Sequence, residues 1–493
     1  MKRRTSSILA LALVLVLLAA TLINHFHQNT NPFAASKGNG FSELKSYYKQ
    51  TIKWRSCYQQ FECATYQVPI DYSDLNIGKF DIAVMRHTAK GATKSLVINP
   101  GGPGGSGVDY VYSYQEAFTP AVIKNFDIVG FDPRGVGESA PILCLSNSET
   151  DQLYSEDSYP KTSSELAKLQ SETKAFADKC SSANPYLKYY SSANAARDMD
   201  ILRSVLGETE LNFLGKSYGT YLGTLYSKLF PNQVGKFVLD GAVDPMLDAT
   251  QQTLQQAVGF DEAFKEFAQY CRKSSNCVLG KNEVATLTKK LDELRATPLK
   301  VGNRQLTESL ATYGIAFGLY ESDSGWPALQ KALQDLFNGD GKALITMADA
   351  YTGRDSNGEY QTNEAESLAV IMCNDFPPAK LDVNGTIKAA PLFGKFVAYS
   401  NLDCNYFPHG NYELVNGQIN TGNSPLIIGT LNDPATPYKW AEKLSTLLVG
   451  SKLISLNSQG HTGYNRGSAC VDQAVEKYLI SGQIPAQNLS CGS

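Results

Sequence analysis

Leu211-Asn212-Phe213-Leu214-Gly215-Lys216-Ser217-Tyr218-Gly219-Thr220-Tyr221-Leu222-Gly223-Thr224-Leu225-Tyr226 is the stretch that decides the fold. Its first four residues read as a short buried strand, and residues 220–226 as a helix that Pro231 stops. Between them stands G-x-S-x-G. A serine on a tight strand-to-helix turn, with a glycine two residues to either side to make room for strained backbone, is a nucleophile elbow. The bare pattern also occurs in structural Gly-Ser turns. The strand before it and the helix after it set this one apart.

A serine hydroxyl is too weakly acidic to attack at neutral pH without a base. The chain has five histidines, and His25 and His27 fall in a polar N-terminal stretch, leaving His87, His409 and His461. His461 follows the apolar run 452–456, on a loop where an imidazole would project over the sheet edge. His87 instead ends an early strand, and His409 sits in a Pro-His-Gly turn. His461 is therefore the expected base. Asp433, in Asn432-Asp433-Pro434-Ala435-Thr436-Pro437, follows the penultimate strand and is expected to orient that imidazole. An Asp before Pro is also a common turn former; the chain order Ser, Asp, His favours the triad.

Two backbone N–H groups must face the charge that develops on the attacked carbonyl. One is expected from Tyr218. The other is expected from Gly102, to within one residue, in Asn99-Pro100-Gly101-Gly102-Pro103-Gly104-Gly105-Ser106-Gly107. A phosphate cradle is the rival reading of such a loop, but no G-K-[ST] follows and the G-x-G-x-x-G spacing is not met.

Further strands flank this core. Ala64-Tyr66-Val68-Ile70 and Phe80-Ile82-Val84 alternate, while 95–98, 126–131, 236–240, 425–429 and 452–456 are continuous apolar runs separated by helical stretches. That pattern predicts an α/β fold with a mostly parallel central sheet covered on both faces. Residues 246–405 differ: helix formers at 3.6-residue spacing dominate, which predicts a helical cap inserted into the α/β domain. The expected organisation is a signal peptide or membrane anchor plus tether over 1–35, core over 50–245, cap over 246–405, and core again over 406–493.

A net charge of −4 without a basic stripe argues against nucleic acid as a partner. Lys2-Arg3-Arg4 followed by an apolar run over residues 8–23 predicts export, with a cleaved signal peptide favoured over an anchor. Ten cysteines fit an oxidising compartment. Cys57/Cys63, Cys271/Cys277 and Cys470/Cys491 lie close in sequence, with Cys144/Cys180 and Cys373/Cys404 as the natural remainder, although sequence does not fix connectivity. No C-x-x-C occurs and no His stands at ligand spacing from a Cys pair, so neither a metal nor another cofactor is expected.

The segments 99–107, Asp132-Pro-Arg-Gly-Val-Gly-Glu-Ser139, Gly-Lys-Ser217-Tyr-Gly-Thr, Asn-Asp433-Pro-Ala-Thr-Pro and Gly-His461-Thr-Gly together resemble the exported tripeptidyl-aminopeptidase-like branch of the α/β-hydrolases, and less closely the prolyl aminopeptidases. The likeness runs over residues 50–493 and takes in cap segments 319–327 and 371–375. It implies an α/β-hydrolase fold and a serine exopeptidase that removes residues or short peptides from free N-termini. Asn99-Pro100 stands where prolyl aminopeptidases have His ahead of the glycines, which weakens a strict proline preference. A free ammonium in a dry cleft needs a fixed carboxylate; Asp375, Glu321 and Asp323 are the expected candidates. Asp132 and Arg134 are expected to brace the loop beneath the site. A carboxylesterase-type hydrolase with the same machinery is the alternative, and a non-catalytic binding protein of the same fold is the third reading.

Overall fold

A computed structural model describes residues 32–33, 40–378 and 380–492. The expected signal or anchor segment, 8–23, lies outside the described residues. Twelve strands are seen among the described residues: β1 (Arg55–Cys57), β2 (Phe61–Pro69), β3 (Lys79–His87), β4 (Ser95–Asn99), β5 (Asp127–Phe131), β6 (Leu211–Lys216), β7 (Val234–Asp240), β8 (Leu299–Val301), β9 (Arg304–Leu306), β10 (Leu426–Asn432), β11 (Lys452–Gln459) and β12 (Leu489–Gly492). Ten of them form one sheet in the order β1-β2-β3-β5-β4-β6-β7-β10-β11-β12. From β5 to β12 every neighbouring pair is parallel, while β1, β2 and β3 join antiparallel at one edge.

The continuous apolar strands are apolar because both of their faces are covered. Along β4, Val97 enters one core layer while Leu96 and Ile98 enter the other; β6 splits Phe213 from Leu214 in the same way, and β7 splits Phe237 and Leu239 from Val238. Helices Ser192–Val205, Tyr218–Leu229 and Glu364–Asp375 cover the first layer. Helices Gly107–Tyr112 and Ala469–Ser481 cover the second. Phe213 is fully buried, and its truncation to Ala costs about 3–5 kcal/mol for a side chain of that size.

Between β7 and β10 the chain is mainly helical, as its spacing predicts. A separate core forms there around Phe264, Phe267, Leu319, Leu329 and Leu344. Two features depart from the expectation of one all-helical cap. β8 and β9 form a small antiparallel ribbon. Helix Glu364–Asp375 packs into the main core through Val370, Ile371 and Cys373, tied down by the Cys373–Cys404 disulfide. All ten cysteines are paired, as 57–63, 144–180, 271–277, 373–404 and 470–491. Five disulfides suit an extracytoplasmic protein. Among the described residues no helix is long and apolar enough to cross a membrane.

Candidate active site

The site stands at the carboxyl ends of four adjacent strands, β6, β7, β10 and β11. β6 delivers Lys216, the next residue is Ser217, and helix Tyr218–Leu229 starts at once. Ser217 has φ 54° and ψ −125°. A non-glycine residue held there stores roughly 1–3 kcal/mol, which the surrounding structure must supply. The supply is visible. The Ser217 N–H donates to the Asp240 carbonyl at 2.9 Å, and the Thr220 N–H donates to the Ser217 carbonyl at 2.9 Å.

Asp240 ends β7 opposite Lys216 and is fully buried. Its carboxylate accepts the N–H groups of Gly463 (2.8 Å) and Tyr464 (3.0 Å), two and three residues past His461. Lys216 Nζ donates to the Tyr464 carbonyl at 3.1 Å and stands 4.0 Å from the Asp240 carboxylate. Burial pushes the Asp240 carboxyl above the usual carboxylate range, against Lys216 and the two N–H donors. The charged residue inside the elbow is thus turned away from the cleft to fasten the histidine loop.

The histidine loop meets the loop after β10 across a carboxylate. Asp433 Oδ1 and Oδ2 each lie 2.9 Å from His461 Nδ1. Asp433 is buried and otherwise saturated. It accepts from Ala435 N (2.9 Å), Thr436 N (2.8 Å), Thr436 Oγ1 (2.9 Å) and Thr462 N (3.1 Å). A carboxylate held by that many donors has one orientation, and with it the ring of His461 has one orientation. Gly241, with φ +69°, follows Asp240 and makes room: a side-chain carbon there would stand 3.2 Å from His461 Cε1. The His461 N–H donates to the Tyr320 carbonyl at 2.9 Å, and the Tyr320 ring meets the imidazole edge-on at 5.4 Å. The cap therefore touches the imidazole directly.

On the other side of Ser217 lies the glycine-rich loop. Asn99 pairs with Gly215 across β4 and β6, so the loop starts level with the elbow. The Asn99 side-chain oxygen accepts from Gly101 N at 3.1 Å. Gly101 has φ +113°, and a side-chain carbon there would lie 2.9 Å from Ser217 Cβ and 3.3 Å from Tyr218 N. Only glycine fits that approach. Gly102 is the next residue outward. Tyr218 N sits in the first helical turn, where N–H groups lack intrahelical acceptors. Below the loop, Asp132 accepts from Ser106 Oγ (2.6 Å), Val108 N (3.1 Å) and Glu138 N (2.9 Å). Arg134 is locked to Asp198 at 2.6 and 2.7 Å and to the carbonyls of Pro69, Ile70 and Tyr189.

The three acids expected to hold an ammonium are not gathered at one place. Asp375 is buried and accepts from Ser192 N at 2.7 Å and from Ser192 Oγ, which also bonds the Tyr218 hydroxyl. Burial raises its pKa to about 7. Through Ser192 it is tied to the Tyr218 hydroxyl. Glu321 accepts from Ser324 Oγ and faces Arg466 at 3.7 Å, and Asp323 is exposed. The remaining histidines sit elsewhere: His87 stacks on Tyr114 and His409 on Tyr412.

Sequence reasoning missed Lys216 as a fastener, Asp240, Thr436 and Tyr320. A polar residue closing the apolar run Phe237-Val238-Leu239-Asp240 was the one available signal for Asp240.

Among curated proteins the chain is 34% identical over 454 residues to "Serine protease Hip1" of Mycobacterium tuberculosis, covering 87% of each chain. It is 33% identical over 450 residues to "Carboxylesterase B" of the same organism, covering 87% of this chain and 86% of that one. It is 29% identical over 465 residues to "Tripeptidyl aminopeptidase" of Streptomyces lividans, covering 89% and 86%. A family model described as "TAP-like protein" matches residues 390–491. With its parallel sheet, its strand-end serine and relatives of this kind, the chain belongs to the TAP-like family of α/β-hydrolases.

Proposed function

We propose that the protein is an exported serine aminopeptidase that releases residues or short peptides from free N-termini. Ser217, His461 and Asp433 carry the reaction. Ser217 Oγ attacks the scissile carbonyl while His461 takes its proton, and the N–H groups of Tyr218 and Gly102 receive the oxyanion. His461 then protonates the departing amine, which leaves an acyl-enzyme on Ser217. Water, deprotonated by His461, attacks that ester and restores the serine. The observation that carries the catalytic part of the reading is the 2.9 Å contact between Asp433 and His461 Nδ1, two strands from a serine held at φ 54°; the likeness to "Serine protease Hip1" and "Tripeptidyl aminopeptidase" supports the peptidase part.

A second reading, an ester hydrolase, draws on the likeness to "Carboxylesterase B". One experiment separates the two. The purified protein is given free and N-acetylated tripeptide chromogens alongside a short-chain ester. Cleavage of the free peptide in large excess over the acetylated one supports the aminopeptidase; turnover of the ester alone supports the second reading.

A further inference from the structure

One carboxylate beside the glycine-rich loop has no hydrogen-bond or ionic partner among the described residues. Glu364 opens the helix Glu364–Asp375, and its Oε1 lies 3.3 Å from where a side-chain carbon on Gly102 would stand. Its Cγ and Cα lie 3.1 and 3.2 Å from the equivalent point on Gly104. It therefore sits directly against the outer side of the glycine-rich loop. Among the described residues, no hydrogen bond and no cation reaches its carboxylate. Burial alone raises its pKa. By contrast, the neighbouring acid on the same helical turn, Glu366, accepts the Leu145 N–H at 3.2 Å.

The negative charge of Glu364 contributes, behind burial or neighbouring tyrosines, to raising the pKa of Tyr154, Tyr320 and Tyr351. Their rings form a continuous series: Tyr320 to Tyr351 at 5.8 Å, Tyr351 to Tyr313 at 5.5 Å, and Tyr313 to Tyr154 at 5.3 Å. All four residues are half-buried. The series begins at the ring that touches His461. An anionic oxygen partly withdrawn from water and without a partner is complementary to a compact cation. A desolvated carboxylate without a partner is costly, and a cationic substrate group arriving there offsets that cost.

We infer that Glu364 seats the protonated N-terminus of the peptide substrate. This rests on the aminopeptidase reading and gives it a specificity-determining residue. An extended peptide advances about 3.3 Å per residue. Because the seat abuts the loop that would hold the oxyanion, the released piece is short.

The test compares wild type, Glu364→Gln and Glu364→Asp on free and N-acetylated tripeptide chromogens, with thermal unfolding as the control for folding. For the wild type, kcat/KM for the free peptide exceeds that for the acetylated one. In Glu364→Gln that ratio falls about 30- to 100-fold, as the loss of a charge-assisted contact requires, and Glu364→Asp recovers part of it. A Glu364→Gln protein that folds and keeps the wild-type ratio overturns the inference and leaves the aminopeptidase reading standing. A wild type that does not discriminate between the two peptides overturns the reading itself, and this inference with it.

Discussion

Asp240 holds Ser217 with its main chain and the loop bearing His461 with its side chain. The Ser217 N–H donates to the Asp240 carbonyl, and the Asp240 carboxylate takes the N–H groups of Gly463 and Tyr464. One residue thereby fastens Ser217 and the loop bearing His461 to the same point of the sheet. Asp240→Asn places an amide NH2 against an N–H donor, and a buried donor left unsatisfied costs about 1–3 kcal/mol. The expected result is an unfolding free energy lowered by that amount in urea denaturation, with kcat reduced more than KM is raised.

Lys216→Met removes the cation beside the same buried carboxylate. Breaking one side of a buried pair costs about 3–5 kcal/mol, and Lys216 is only 13% exposed. Urea unfolding should show a loss near the lower end, because the 4.0 Å separation is loose.

Replacing Ser217 or His461 by Ala should each lower kcat by about 10⁴- to 10⁶-fold, and the double variant should be no worse than the worse single one, since residues acting as a unit are not additive. Thr436→Val is a finer probe. Its hydroxyl donates to Asp433 at 2.9 Å, and a hydrogen bond to a charged group contributes about 1.5–3 kcal/mol. A fall in kcat of roughly tenfold to a hundredfold on chromogenic peptides is the expected outcome.

Gly101→Ala would put a methyl group 2.9 Å from Ser217 Cβ. Activity should fall by about 10²- to 10³-fold, the cost of spoiling one oxyanion donor, and circular dichroism should show the fold retained.

Asp375 makes stability depend on pH. Its folded pKa of about 7 lies above the ordinary 3.8, so the neutral form's contribution is complete below about pH 4 and is lost as pH rises through about 7. Asp375→Asn keeps an acceptor for Ser192 and cannot ionise. Melting temperatures measured from pH 4 to pH 8 should fall less steeply with pH in the variant. Asp132, also raised to about 7 by burial, contributes to the slope that remains, as do other buried acids such as Asp403, raised to about 6.

The sheet was legible wherever strands were long and apolar, because a strand covered on both faces can be little else. Three-residue strands such as β1, β8 and β9 carry no period to read. Ser217, Asp433 and His461 stood out because each occupies a loop just past a recognisable strand. Asp375 did not reveal its role: a buried acid and a substrate-facing acid look alike in sequence, and only the bonds to Ser192 tell them apart. Glu364 was hidden for a related reason. An acid in the first turn of a helix complements the helix dipole and so reads as ordinary. Lys216 needed the Tyr464 carbonyl, 248 positions away, to become intelligible.

The bond from the His461 amide to the Tyr320 carbonyl ties the segment between β7 and β10 to the loop that carries the imidazole. A change that shifts Tyr320 therefore reaches His461 through the main chain as well as through the contact of the two rings.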